Sequence, residues 1–255
     1  MHAVRLGPKS WLRYCLTLLV CFGPAGSARA GEKYYVLVFG SQTTPARTNY
    51  SHSWATFVRV TWEGGGPCPK SARLEAHTIS WLPENLVIRT WALLPEYGAN
   101  FDSDSTLRYV LDNNERVSLW GPYEIEVDLY HRAMTQLGVL DSGQVRYKAV
   151  DSAYTTDRVS NCIHAVSSVA GGYRLRVLSP GWGETASYAI VLRFEPWIID
   201  RNEVHARVGS ALGLDQYPII YRDFQGPRSG AIAGPIFRAL GAERNLAPSY
   251  GPPAR

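Results

Sequence analysis

Ser160-Asn161-Cys162-Ile163-His164-Ala165-Val166 is the stretch on which the reading of this chain turns. Asn161 or Ser160 is a natural helix N-cap, because a short polar side chain can accept from the free amides of the first turn. Ile163, Val166 and Ala170 then fall on one apolar stripe, and Gly171-Gly172 stops the helix. Cys162 therefore sits in the first turn. Unpaired amides and the positive helix end stabilise a thiolate there and should lower its pKa. The same amides could hold a developing oxyanion on a carbonyl. A nucleophilic thiol also needs a base, usually His, and a polar group to orient that base.

Working outward, most of the chain reads as short strands with a few helices. Tyr34 to Phe39 (YYVLVF) reads as a buried strand and Trp54 to Trp62 as a second, rich in β-branched and aromatic residues. The Gly64 to Pro69 stretch is a loop carrying Cys68, and Leu74 to Trp81 is a third strand, hairpinned to the second and ended by Pro83. Residues 84–101 are ambiguous, with Tyr97 to Asn100 read as a loop. Helices are expected over about 105–113, capped by Ser103 or Asp104, and over about 124–137, stopped at Gly138. Gln144 to Val150, Tyr173 to Leu178 and Ser187 to Phe194 read as strands, the last two joined by a Pro-Gly-Trp-Gly turn. A last short helix follows Asp200, and from Gly226 the chain is rich in Gly, Pro and Ala. With no repeat and no linker, this pattern predicts one α+β domain over 31–224 and a tail over 225–255.

The first 30 residues stand apart. Arg5, Lys9 and Arg13 precede the apolar run Tyr14 to Phe22, and Ala28-Arg29-Ala30 supplies small residues at a cleavage position. This is the pattern of a secretory signal peptide cut after Ala30, too short in its apolar part to span a bilayer. Removal takes four basic residues and no acid, which leaves 22 of the 26 basic residues against 22 acidic ones and a formal charge of zero. The basic face that nucleic acid demands is then missing, and no later stretch is a transmembrane candidate. A secreted or periplasmic protein is expected.

Cys15 and Cys21 leave with that segment, so only Cys68 and Cys162 remain. Either they form one bridge, which an oxidising compartment permits, or Cys162 is a working thiol and Cys68 is incidental. Five histidines remain as candidate bases. His52 sits just before a strand, after a polar loop, and His77 lies inside the neighbouring strand of the hairpin, where cross-strand side chains sit about 5 Å apart. His164 is two positions past Cys162, about 200° around the helix, and points away from the thiol. His131 reads as a helix-surface residue and His205 as part of a charged helix. A zinc site from His52, His77 and Cys162 lacks any supporting ligand spacing, so no metal or cofactor is expected. The tryptophans and tyrosines, among them Trp81, Trp91, Trp120, Tyr123 and Trp182, read as core.

The order of these residues resembles a known group. Asn161-Cys162-Ile163-His164 resembles the Asn-Cys-x-His motif of the lecithin:retinol acyltransferase-like branch of the permuted NlpC/papain-like hydrolases. His52-Ser53-Trp54-Ala55-Thr56-Phe57-Val58 is similar to that group's His-Trp-Ala-x-Tyr-Val strand. The resemblance implies a permuted papain-like fold, an antiparallel sheet packed against the helix that opens on the nucleophile. It also implies Cys162 as nucleophile, His52 as base and His77 as orienting partner. Ser53 departs from the pattern by separating His from Trp. One residue reverses a strand's face, so either Trp54 is not the equivalent Trp or a bulge restores the geometry.

The function expected on this reading is a cysteine-dependent hydrolase or acyltransferase, passing a peptide, amide or lipid acyl group through an acyl-enzyme. The rival is a non-catalytic exported domain on the same scaffold, with Cys68 and Cys162 bridged or the cleft used only for binding.

Overall fold

The structure, a computed structural model, describes residues 30–224 apart from 65, 154, 173, 174, 176 and 178–182. The expected signal segment (except Ala30), the tail, Trp182 and most of the strand and turn expected over 173–182 lie outside the described residues. The described residues divide into two units, 30–31 with Trp62–Ala72, and Glu32–Thr61 with 73–224. In the small unit the Trp62 indole donates to the Gly66 carbonyl at 3.0 Å, and Cys68 is a free thiol beside the Pro69 carbonyl.

The fold is mixed α+β, with sheets in which antiparallel pairing dominates. Strands β1 (Gly31–Gln42), β2 (Ser51–Trp62), β3 (Arg73–Ile79), β6 (Arg116–Glu124) and β9 (Ile219–Arg222) form a five-stranded sheet, ordered β3-β2-β1-β6-β9. Strands β4 (Trp81–Pro83), β5 (Glu96–Asn100), β7 (Arg146–Tyr147) and β8 (Val159–Ser160) form a four-stranded one in chain order. The hairpin of β2 and β3 forms as expected, in unbroken register from Ala55 opposite Ile79 to Thr61 opposite Arg73. Ser80 alone separates β3 from β4 and so marks the crossing from one sheet to the other. It is pinned there: its amide donates to Asn100 Oδ1 at 2.8 Å, and Asn100 Nδ2 donates to the Thr78 carbonyl at 2.8 Å.

The helices are α1 (Ser103–Asp112), α2 (Val127–Asp141), α3 (Cys162–Ser167), α4 (Gly183–Phe194) and α5 (Ala206–Ala211). The main core joins Val36, Val38, Ala55 and Phe57 of the sheet to Leu129, Ala133, Val166, Ile190 and Phe194 of α2 to α4. Phe57 and Phe194 meet edge to face at 5.9 Å, both fully buried. Burying side chains of this size contributes about 1.5–3 kcal/mol each.

Several sequence expectations need correction. Ser187 to Phe194 is helix, not strand. Ala186, Ala189, Ile190 and Phe194 recur at helical spacing on a buried face, and the alternation read from Ser187 onward fits that period as well. Helix α2 runs through Gly138 to Asp141, because a glycine with open space around it weakens a helix without ending it. The cap of α1 is Asp102, whose carboxylate accepts from the Ser105 amide, and not Ser103 or Asp104. Tyr97 to Asn100 belongs to strand β5, held by pairing with β4 and β7, and the Gln144 to Val150 strand shrinks to Arg146–Tyr147. His205 caps α5 and packs on the Tyr35 ring at 4.9 Å instead of lying inside a helix. Trp91 is 76% exposed, while Trp81, Trp120 and Tyr123 are core as expected.

Candidate active site

Helix α3 begins as its sequence requires. Asn161 is extended at φ −107° and ψ 179°, and its Oδ1 accepts from the His164 amide at 2.8 Å. That cap sets Cys162 in the first turn, where the backbone amides of Ser53 and Ile163 favour the thiolate. The expected drop in thiol pKa does not follow. Burial pushes it up to about 11, and the amides offset only part of that rise. The nearby Glu115 carboxyl adds to it. A six-residue helix offers a weak positive end, and withdrawal from water is the larger effect here.

His52 lies inside β2, one residue from its start, and is 1% exposed. Its ring stacks on Trp54 at 5.4 Å and 14°, and Trp54 stacks in turn on Phe39 at 5.0 Å. Two residues apart on a strand share a face, so the Ser53 insertion puts His52 and Trp54 side by side. His52 Nε2 lies 2.9 Å from Ser80 Oγ, Ser80 Oγ lies 2.8 Å from Thr106 Oγ1, and Thr106 Oγ1 lies 2.7 Å from the Asp102 carbonyl. Nδ1 is buried with no hydrogen-bond partner.

This row of hydroxyls has a preferred direction. Thr106 Oγ1 has one proton and two acceptors in reach, the Asp102 carbonyl and Ser80 Oγ. With that proton on Asp102, Ser80 can donate to Thr106 and His52 Nε2–H to Ser80, and with it on Ser80 the order runs the other way. The reverse order would leave an imidazole N–H buried without an acceptor, the costlier orphan of the two. The favoured tautomer therefore leaves a bare lone pair on Nδ1. Burial also pulls the His52 pKa down to about 3, so the ring is neutral at ordinary pH.

His52 and Cys162 line one small cavity of ≈ 40 Å³ together with Ser53, Thr90, Tyr147 and Val177. No hydrogen bond joins the imidazole to the sulfur: Nε2 is on Ser80 and Nδ1 is unpartnered. A space of this size holds a water or a reacting group of a few atoms. Gly183 opens α4 against it, and a Cβ there would come within 1.9 Å of the Ser41 carbonyl and 2.9 Å of the His52 carbonyl. Only glycine allows that approach.

His77 is not brought to this site. The hairpin register sets it opposite Phe57, five residues along β2 from His52, where it meets Glu75 at 3.0 Å and the edge of Tyr130. The partner of the His52 ring is instead Ser80. His164 is buried and bonded to the Leu175 carbonyl at 2.5 Å, with Asp151 at 3.3 Å, a packed histidine as expected.

Sequence reasoning missed Glu115. It is 4% exposed, accepts from Ser41 Oγ at 2.6 Å, and burial pushes its pKa up to about 7, the Ser41 hydroxyl opposing that rise. A Glu just after a helix looks solvated in sequence, and no local signal marks it as buried.

A larger, open hollow of ≈ 510 Å³ lies on α2 beside Asp128, His131, Arg132 and Ser168. No buried unpartnered polar atom lines it, so the smaller cavity is the better candidate for chemistry. Among the described residues no three His, Cys, Asp or Glu are grouped to hold a metal, and no helix is long and apolar enough to cross a membrane.

The chain matches no protein-family model, and comparison with curated proteins and with solved structures gives no significant match.

Proposed function

We propose that this chain is an exported cysteine-dependent hydrolase or acyltransferase with a permuted papain-like fold, acting on the carbonyl of a peptide, amide or lipid acyl group. The observation that carries the reading is a buried imidazole nitrogen without a partner in the same small cavity as a half-buried thiol. An unsatisfied buried polar atom needs a reason, and a base waiting for a proton is one. The motif resemblance at His52 and at Asn161 to His164 supports the same roles.

The resting pair is neutral on both sides, because burial disfavours both thiolate and imidazolium. Deprotonation is therefore coupled to attack. As the substrate carbonyl enters, Cys162 gives its proton to His52 Nδ1 and its sulfur bonds to the carbonyl carbon. Ser80 holds the ring by its other nitrogen. The protonated ring then delivers that proton to the leaving amine or alkoxide as the scissile bond breaks. Water or an amine, deprotonated by the same nitrogen, releases the acyl group. The thiol and ring must close the gap between them, so their meeting is a step of the reaction.

That gap is also what favours the rival, a non-catalytic exported domain using the cleft only to bind. Incubation with p-nitrophenyl acyl esters and intact-mass analysis separates the two. The reading expects one acyl adduct on Cys162, lost in Cys162→Ser, with turnover falling about 10⁴-fold there and in His52→Ala. Turnover that survives Cys162→Ser, or a folded wild type that never acylates, removes the hydrolase.

A further inference from the structure

Large apolar side chains left in water are not scattered evenly over the molecule. Val87, Trp91, Leu93, Leu94 and Tyr97 are 53%, 76%, 70%, 61% and 65% exposed, and all lie in one stretch of eleven residues that runs from the β4–β5 connection into β5. The same stretch alternates. Val87, Arg89 and Trp91 are exposed, while Ile88 and Thr90 between them line the cavity that holds Cys162. One side of the segment is thus a wall of the candidate site and the other faces solvent with an apolar crown.

Cations border that crown. The Arg146 guanidinium lies over the Tyr97 ring at 3.6 Å, whereas Lys148 is buried and its ammonium is taken by the Ala92 carbonyl. Arg158 is exposed and joins through its carbonyl to the Arg146 amide at 2.8 Å. Among the described residues no carboxylate pairs with Arg146, Lys148 or Arg158. The segment's own acids are Glu84 and Glu96, and Glu96 is taken by Arg89 at 2.8 Å.

We propose that residues 84–97 dock on an anionic lipid bilayer, with Trp91, Leu93 and Leu94 inserted among the acyl chains and Arg146 and Arg158 on the headgroups. The chemistry of the surface selects this occupant. Each apolar side chain stands more than half out of its surroundings, so the crown projects and does not form a groove. Projecting Trp and Leu beside Arg146 and Arg158, which no carboxylate pairs, suit a soft apolar medium under a negative surface. A protein partner would need about 800 Å² of complementary area on this side. Insertion would hold the Ile88 and Thr90 wall, and so the cavity, at the membrane surface. The proposal does not depend on the acyl-transfer reading, because its test reads insertion and not turnover.

The test uses the full chain and vesicles of phosphatidylglycerol with phosphatidylcholine, some carrying brominated acyl chains. The emission of Trp91 is isolated as the difference between wild type and Trp91→Phe, a substitution that keeps the crown apolar. The proposal expects this component to shift to the blue and to be quenched by the brominated chains. It also expects Leu93→Ser/Leu94→Ser to weaken binding at least tenfold, and about 0.5 M salt to weaken it too. A Trp91 component indifferent to vesicles overturns the proposal, even if the chain binds through another part. So does a serine variant that binds like wild type, or a Trp91 shift that follows protein concentration without lipid, which would mean a second copy.

Discussion

Two buried polar centres adjoin the start of α4, where Gly183 lines the Cys162 cavity and Glu184 follows it, and they behave in opposite ways. At Glu184, 5% exposed, every carboxylate oxygen is met: Ser118 at 2.6 Å and Arg222 at 2.9 Å on Oε1, Arg116 at 2.8 Å on Oε2. Burial alone would raise its pKa, yet Ser118, Arg222 and Arg116 together hold it below the usual carboxylate value. At His52 and Cys162, which line one cavity, and at the nearby Glu115, burial has no counter-charge to oppose it. There His52 falls to about 3, Cys162 rises to about 11 and Glu115 rises to about 7, each driven first by desolvation. Matched burial makes a rivet, tying α4 to β6 and β9. Unmatched burial leaves groups neutral and available for proton transfer, which is where perturbed groups gather in functional sites.

The largest expected effect tests the rivet. Glu184→Ala leaves Arg116 and Arg222 facing each other without an anion, and breaking a fully buried pair this way costs about 3–5 kcal/mol. Their side chains are 41% and 30% exposed, so water screens part of the loss. About 2–3 kcal/mol is expected in urea unfolding, with the slope unchanged. A loss under about 0.5 kcal/mol, typical of surface sites, would mean that the two centres do not differ as argued.

What could be read from sequence divides along the same line as local and distant causes. The start of α3 was legible because a cap involves only Asn161 and the amide three residues on. His52 and Cys162 were legible as residue types in the right kind of element, and the structure sets both on one cavity. His77 was not, because cross-strand position depends on the register that the 62–72 loop imposes. The partner of the His52 ring is instead Ser80, whose place depends on the crossing between sheets and on Asn100 from another strand. The rise in the Cys162 pKa was invisible for a related reason: the helix end is written locally, the burial is not. Helix α4 was misread because Ser187-Tyr188-Ala189-Ile190 satisfies either period. Only contacts such as Ser187 Oγ on the Phe39 carbonyl at 2.6 Å decide it.

The unmatched centre makes a prediction in pH. His52 has a folded pKa of about 3 against 6.5 unfolded, so its stability is complete above pH 6.5 and is lost as pH falls toward 3. Glu115 has a folded pKa of about 7 against 4.5, so its stability is complete below pH 4.5 and is lost as pH rises toward 7. Between pH 4.5 and 6.5 the two slopes oppose, each worth about 2–3 kcal/mol across the window. Removing one should expose the other. Glu115→Gln should become less stable on acidification over this range, and His52→Gln should become more stable. Urea midpoints across the window at constant ionic strength check both signs. Two variants that both run parallel to wild type would show that these groups are not shifted as their burial requires.

The smallest effect separates orientation from packing. Ser80→Ala removes the hydroxyl between His52 Nε2 and Thr106 and leaves an N–H buried without its acceptor, at about 1–2 kcal/mol. A loss of that size alone says little, since any buried hydroxyl could give it. Thr78→Val provides the contrast, because the Thr78 and Thr56 hydroxyls meet at 2.9 Å on the same hairpin and neither residue lines the Cys162 cavity. Both substitutions should lower stability by similar amounts. Only Ser80→Ala should move the nitrogen-15 shifts of the His52 ring, where wild type carries its proton on Nε2. Ring shifts that respond equally to both substitutions would mean that the hydroxyl row supports the fold and does not set the tautomer of the base.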